Sequence, residues 1–109
     1  MLLSIILLNW NKKDLTLACM RSVAEVYKDE LKKGEFEIII VDNGSKDDSV
    51  EFLKHEIKQS KYSSFMKLVT SSENLGFGRG NNLGVTHAKG KYVMFLNNDT
   101  EVKDTGFLG

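Results

Sequence analysis

Phe36-Glu37-Ile38-Ile39-Ile40-Val41-Asp42-Asn43-Gly44-Ser45 is a nearly unbroken apolar run that stops abruptly in a polar turn. A β-branched run such as Phe36 to Val41 reads as a strand buried on both faces, the kind found in parallel sheets. Asp42, Asn43, Gly44 and Ser45 are all strong strand breakers.

Working outward, the same grammar repeats. Leu2 to Leu8 is a second apolar run, broken by Asn9-Trp10-Asn11. Between the two runs, Asp14 offers a helix cap, and Leu15, Ala18, Cys19, Val23, Val26 and Tyr27 follow at helical spacing. Gly34 supplies the stop. Downstream, Asp47 to Lys58 carries Val50, Leu53 and Ile57 on one helical stripe, with Asp47, Asp48 and Glu51 where the helix dipole favours acids. Phe65 to Thr70 is a weaker strand, and Ser71 to Gly80 reads as a polar, glycine-rich loop. Asn81 to Ala88 is a short helix, stopped by Lys89-Gly90. Tyr92 to Leu96 is a fourth strand that runs into Asn97-Asn98-Asp99-Thr100.

Strand and helix alternate from end to end. The expectation is an α/β, Rossmann-like parallel sheet of about four strands, with helices on both faces. Strands that all point one way deliver their polar ends to one edge, where such sheets bind ligands. That edge would gather Asn9 to Asn11, Asp42 to Ser45, Ser71 to Asn74 and Asn97 to Asp99. An uncovered edge on the fourth strand would invite self-association.

Composition narrows the function. The chain has 109 residues, 41% hydrophobic and 28% charged, with fifteen basic residues against fifteen acidic ones. Zero net charge gives no electrostatic footprint for nucleic acid. The apolar start at Met1 to Leu8 is far shorter than the ~20 residues that span a bilayer, and it has no signal-peptide features. The single Cys19 excludes an internal disulfide and reads as core, which makes a reducing, cytoplasmic setting the default.

Asp42 and Asp99 are the carboxylates directly at the apolar strand ends, with Glu73 nearby. Two carboxylates among amides suit magnesium or manganese carrying phosphate oxygens. Each also reads as a turn or cap residue, Asp42 more naturally than Asp99. Gly76-Phe77-Gly78-Arg79-Gly80-Asn81 fails the dinucleotide fingerprint, because Asn81 stands where the last glycine belongs and the segment follows the third strand. It reads instead as a flexible approach loop that lets Arg79 reach an anion. His55 and His87 read as surface residues without metal-ligand spacing. Ser45 has no nucleophile-elbow context.

Taken together, Ser4 to Asn11, Ile39 to Ser45, Glu73 to Asn82 and Gly90 to Asp99 resemble the nucleotide-sugar-binding half of family 2 glycosyltransferases, the GT-A fold. The Asn-Trp-Asn and Leu-Asn-Asn-Asp variants are similar to a rhamnosyltransferase-like branch. The resemblance implies that residues 1–109 form the N-terminal donor part, with the acceptor half and the catalytic base beyond Gly109. It implies that Asp42 meets the nucleotide base with help from Asn9 and Asn11. Asn43, Ser45 and Asn74 join the donor site, and Arg79 and Asn82 approach from the glycine segment. Asn97, Asn98 and Asp99 stand at the Asp-x-Asp motif, where Asp99 would coordinate the divalent metal, Mg2+ or Mn2+. Asn97 replaces the first aspartate and brings no charge.

The implied reaction is inverting, metal-dependent transfer of a sugar from a UDP- or dTDP-sugar to a glycan or lipid-linked acceptor, in cell-surface polysaccharide synthesis. The implied setting of the full-length protein is the cytoplasmic face of the cell membrane, as a peripheral protein. Two other classes stay open. A nucleotidyltransferase shares a similar core but usually has a glycine-rich loop after its first strand, where Asn9-Trp10-Asn11-Lys12-Lys13 stands. A non-catalytic nucleotide-binding module is the other, kept open by Asn97 and the absent acceptor half.

Overall fold

The computed structural model describes residues 1–98. Its elements run in the order β1 (Leu3–Asn9), α1 (Lys13–Val26), α2 (Lys28–Lys32), β2 (Phe36–Asn43), α3 (Ser49–Gln59), β3 (Met66–Ser71), α4 (Gly76–Thr86) and β4 (Tyr92–Leu96). All strand pairs are parallel, in the order β3-β2-β1-β4. The expected α/β fold is therefore observed.

Side-chain alternation explains the layers. Ile5, Leu7, Ile38, Ile40 and Leu96 face one way and pack with Leu17, Cys19, Met20, Val23 and Leu53 of α1 and α3. Ile6, Ile39 and Val41 face the other way, with Leu8, Val69 and Leu83 against them. Because both faces are covered, every residue of β2 is buried. Alternate residues of a strand point to opposite faces, so a continuously apolar strand is what two covered faces require.

The path of the chain creates a crevice. It moves outward from β1 through β2 to β3, then returns to place β4 on the far side of β1. The β1/β4 boundary is thus the topological switch point, where open α/β sheets bind ligands beyond the carboxyl ends of their strands. On its other side β4 is a sheet edge among the described residues, with Tyr92 and Phe95 half exposed or more.

Three local expectations are corrected. The helix read as running from Asp14 to Gly34 breaks at Tyr27, which caps α1 and opens α2. Tyr27 is buried, and its ring lies 5.4 Å from that of Phe36, so packing fixes the break. Asp14 lies in the first turn of α1 and does not cap it; Lys12 holds the cap position without a side-chain bond. Gly34, with φ of 72°, does end α2 as expected.

The third correction concerns the glycine-rich segment. It is not an approach loop but the first turns of α4, which starts at Gly76. The reason is close packing: a Cβ on Gly80 would fall 2.8 Å from Leu8 Cδ1, and one on Gly84 would fall 2.8 Å from Ile6 Cγ2. Those two glycines let α4 sit directly on β1 and β2, which outweighs their poor helix propensity. No helix among the described residues is long and apolar enough to cross a membrane.

Candidate functional site

The end of β2 builds the first part of the site. Asn9 and Asp42 are partners in the β1/β2 register, so both side chains emerge on the α1 face. Asp42 is 1% exposed, and its carboxylate accepts hydrogen bonds from Asn9 and Ser45. Asn9 Nδ2 donates to Asp42 Oδ1 at 2.9 Å, and Ser45 Oγ donates to the same oxygen at 2.6 Å. The Ser45 backbone N–H donates to Asp42 Oδ2 at 3.0 Å. A buried carboxylate needs such donors, since an unpaired one would carry its full desolvation cost.

Asn11 secures the turn above it. Its φ of 53° is left-handed, a conformation that Asn tolerates better than most residues. Its backbone N–H donates to Ser45 Oγ at 2.9 Å, and its Oδ1 accepts from the Lys46 N–H at 2.8 Å. The β1 and β2 turns are thereby stitched together around Asp42.

Asn43 points to the opposite face and holds the β3–α4 connection. Its Oδ1 accepts from the Leu75 N–H at 2.9 Å, and its Nδ2 donates to the Gly76 carbonyl at 3.1 Å and to Asn74 Oδ1 at 3.2 Å. Asn74 Oδ1 also accepts from the Gly76 N–H at 2.7 Å, at the start of α4. Gly44 lets the two turns touch: a Cβ there would lie 2.3 Å from the Glu73 carbonyl carbon.

The crevice at the switch point is a cavity of about 280 Å³, lined by Leu8, Phe77, Asn81, Phe95, Leu96, Asn97 and Asn98. Leu8 and Leu96 to Asn98 lie at the carboxyl ends of β1 and β4, which matches the edge that the alternating pattern implied. Asn81 is 6% exposed and belongs to the buried stripe of α4 with Gly80 and Gly84. The sequence reading chose Arg79 and Asn82 from this segment. Both are on α4 but exposed, and neither lines the cavity. Once the helix is known to begin at Gly76, the spacing of Gly80, Asn81 and Gly84 identifies the inward stripe.

The two parts are joined by a residue that sequence reasoning missed. Thr16, with no exposed surface, donates from Oγ1 to Asn9 Oδ1 at 2.6 Å and accepts from Asn98 Nδ2 at 3.1 Å. A polar chain therefore runs from Asn98 through Thr16 and Asn9 to Asp42 and Ser45. A lone threonine in a helical pattern carries no signal of this before the register is known.

Asp99, expected to hold the metal, lies outside the described residues. Among the described residues no three His, Cys, Asp or Glu side chains come together. By chemistry alone, the amide oxygen of Asn97 and the carboxylate of Asp99, two residues further along the sequence, are hard-oxygen donors. That set fits a hard cation that keeps several waters and takes phosphate oxygens as further ligands.

The sequence and the fold are shared with known proteins. A family model described as glycosyl transferase family 2 matches residues 4–108. The chain belongs to glycosyl transferase family 2. The family 2 assignment extends to curated relatives. The chain is 29% identical over 108 residues to the poly(ribitol-phosphate) beta-glucosyltransferase of Bacillus spizizenii, covering 99% of this chain and 16% of that protein. It is 34% identical over 103 residues to the uncharacterized glycosyltransferase YibD of Escherichia coli, covering 94% of this chain and 27% of that protein. This family 2 chain thus spans about a quarter or less of the length of these two relatives.

Solved structures agree in fold. Residues 1–349 of TarS from S. aureus, in complex with UDP-GlcNAc, superpose with a TM-score of 0.79 at 22% identity, over 99% of this chain and 29% of that one. The mannosyltransferase PcManGT from Pyrobaculum calidifontis, in complex with GDP-Man and Mn2+, gives 0.78 at 20% identity, over 91% and 28%.

Proposed function

We propose that the strand-end edge of this family 2 chain is the donor half of a glycosyltransferase site, which binds a UDP- or dTDP-sugar. The single observation that carries this reading is the buried Asp42 carboxylate, held in one orientation at the end of β2 by Asn9 and Ser45. A fixed acceptor at a ligand-binding sheet edge is the group needed to read the N–H of a pyrimidine base. The nucleotide sugars bound by the TarS and PcManGT neighbours support the same class of ligand.

In this reading Asn9, Asn11, Asn43, Ser45 and Asn74 shape the edge around the base. Arg79 and Asn82, exposed on α4, meet the phosphates. Asn97 and Asn98 border the ribose and sugar. Asp99 holds a divalent cation. That cation, when bound, supplies Lewis-acid stabilisation of the charge on the departing diphosphate.

Residues 1–109 then form the donor half, and the acceptor half with its base belongs to the rest of a longer protein. The whole enzyme transfers the sugar with inversion to a glycan or lipid-linked acceptor of cell-surface polymer synthesis, as a peripheral protein at the cytoplasmic face of the membrane. The Asn-Trp-Asn and Leu-Asn-Asn-Asp sequences favour a rhamnosyltransferase-like branch of the family.

Calorimetry with UDP and dTDP, with and without Mn2+, tests the reading. Metal should strengthen nucleotide binding, and Asp99→Ala should abolish that enhancement without abolishing binding. Undiminished enhancement in the variant would contradict the metal assignment. Side by side, the longer protein should release UDP or dTDP from a nucleotide sugar with acceptor, whereas residues 1–109 alone should not.

A further inference from the structure

The hydrogen-bond chain between Asp42 and Asn98 has a direction, and the direction is set by charge. A carboxylate has acceptors only. Asn9 must therefore turn its NH2 toward Asp42 Oδ1, which it meets at 2.9 Å. Its carbonyl oxygen then faces Thr16, so the Thr16 hydroxyl must donate to it, at 2.6 Å. With its proton committed, Thr16 Oγ1 can only accept from Asn98, and Asn98 turns its NH2 inward at 3.1 Å. What Asn98 has left is a carbonyl oxygen, without a partner among the described residues, on a residue that lines the switch-point cavity.

We propose that Thr16 is a positioning residue that passes the orientation set by Asp42 to the Asn98 amide, which offers its carbonyl oxygen as the acceptor for a hydroxyl group of the ligand in the cavity. The cavity end of this proposal rests on the donor-site reading; the orientation relay does not. Geometry and burial carry the relay. Asn9 and Thr16 have no exposed surface, so water cannot replace a missing partner, and each buried group has one orientation that satisfies its neighbours. The side chains involved come from β1, α1, β2 and the turn after β4. The relay therefore ties the reader of the base to the turn that carries the metal motif. A ligand hydroxyl is the matching chemistry, because a neutral amide oxygen accepts from a hydroxyl and repels a phosphate oxygen.

The test without ligand uses side-chain amide NMR on the whole chain, with the Asn98 NH2 pair assigned by its loss in Asn98→Asp. An amide in place of the Asp42 carboxylate must set a donor against a donor: its NH2 faces either the Ser45 N–H or the Asn9 and Ser45 side-chain donors. Asp42→Asn should therefore shift the Asn98 NH2 signals. The same substitution in a Thr16→Val background should leave them in place, and Thr16→Ser should restore the response. Asn98 signals that ignore Asp42→Asn, or that respond equally without the Thr16 hydroxyl, overturn the relay. Should Thr16→Val not fold, the Asp42→Asn response with Thr16→Ser as its companion still decides, because a relay requires it in both.

The test with ligand is calorimetry with UDP and Mn2+. Thr16→Val should weaken UDP about tenfold, a change equal to the loss of one ordinary hydrogen bond. Thr16→Ser should stay within about twofold, and Asn98→Ala combined with Thr16→Val should be no weaker than Asn98→Ala alone. Additive losses would overturn the shared route. A wild-type chain that shows the amide response but binds no UDP would overturn the donor-site reading and the ligand role of Asn98, and leave positioning by Thr16 standing.

Discussion

Asn9 and Asp42 close neighbouring strands in the same register, and the Asn9 amide, with no exposed surface, donates to the Asp42 carboxylate at 2.9 Å. The side chain read from sequence as a partner of the nucleotide base is therefore buried beneath the residue it supports. Its other end is taken by Thr16 at 2.6 Å. In the proposed donor site, Asn9 therefore acts on the ligand through Asp42.

Asn9→Ala should accordingly cost both folding and binding. It leaves Asp42 short of one buried donor and Thr16 short of its acceptor. The expected loss of stability is about 1–3 kcal/mol, the penalty for orphaned buried polar groups. Urea unfolding checks the first effect and UDP calorimetry the second. A variant with wild-type values in both would show that Asn9 does not hold the carboxylate.

Two glycines should respond to alanine with opposite signs. Gly44 has φ of 77°, and a Cβ there would meet the backbone of Glu73 at 2.3 Å. Gly44→Ala should destabilise the fold by about 1–3 kcal/mol from backbone strain alone, before the clash is counted. Gly78 lies within α4 with nothing within 4 Å of a new Cβ. Gly78→Ala, in the first turn of α4, should stabilise by up to about 0.5–1 kcal/mol, the mid-helix difference between the two residues. Thermal or urea unfolding of the pair reads both signs. Destabilisation by Gly78→Ala would argue that the glycine segment is a loop after all.

Glu37 supplies a pH dependence at the far end of the sheet. It is 1% exposed, and burial pushes its carboxyl up. The Ser4 hydroxyl at 2.6 Å, the Lys89 N–H at 2.7 Å and the Lys67 ammonium at 3.1 Å outweigh that and hold it below the ordinary value of 4.5. A depressed carboxyl stabilises the fold above its unfolded pKa, and that stability disappears as pH falls through the folded one. Glu37→Gln should therefore be less stable than wild type at about pH 7, by about 1–3 kcal/mol. The gap should narrow as pH drops below the ordinary carboxyl value. Unfolding curves at neutral and acidic pH check this, and a gap that widens in acid would contradict it.

Much of the architecture was legible because two covered sheet faces demand continuous apolar strands, and Phe36 to Val41 and Leu2 to Leu8 can be little else. The breakers at Asp42 to Ser45 then placed the polar edge. The glycine segment was not legible. Gly80 and Gly84 weaken a helix locally and are chosen for contact with Leu8, Ile6 and Val41, which only the folded sheet supplies. With that helix start misplaced, the buried position of Asn81 beside Gly80 and Gly84 could not be read. Thr16 was hidden for a related reason: its partner Asn98 is close only in space, and its bond to Asn9 depends on how α1 folds back on β1. The break at Tyr27 likewise depends on its contact with Phe36.

The central claim is that the carboxyl edge of the sheet binds a nucleoside diphosphate through Asp42. The most direct measurement is UDP calorimetry, with Mn2+ present, on the wild-type chain, Asp42→Ala and Asp47→Ala. Asp47 is the matched control: it lies a few residues away, and hydrogen bonds from Ser49, with the backbone N–H at 2.9 Å, hold its carboxyl below the ordinary range at the start of α3. Loss of a hydrogen bond to a charged group costs about 1.5–3 kcal/mol, or about 10- to 100-fold in affinity. Asp42→Ala should lose that much, and Asp47→Ala should bind as wild type does. Equal affinities in Asp42→Ala and Asp47→Ala would contradict the account.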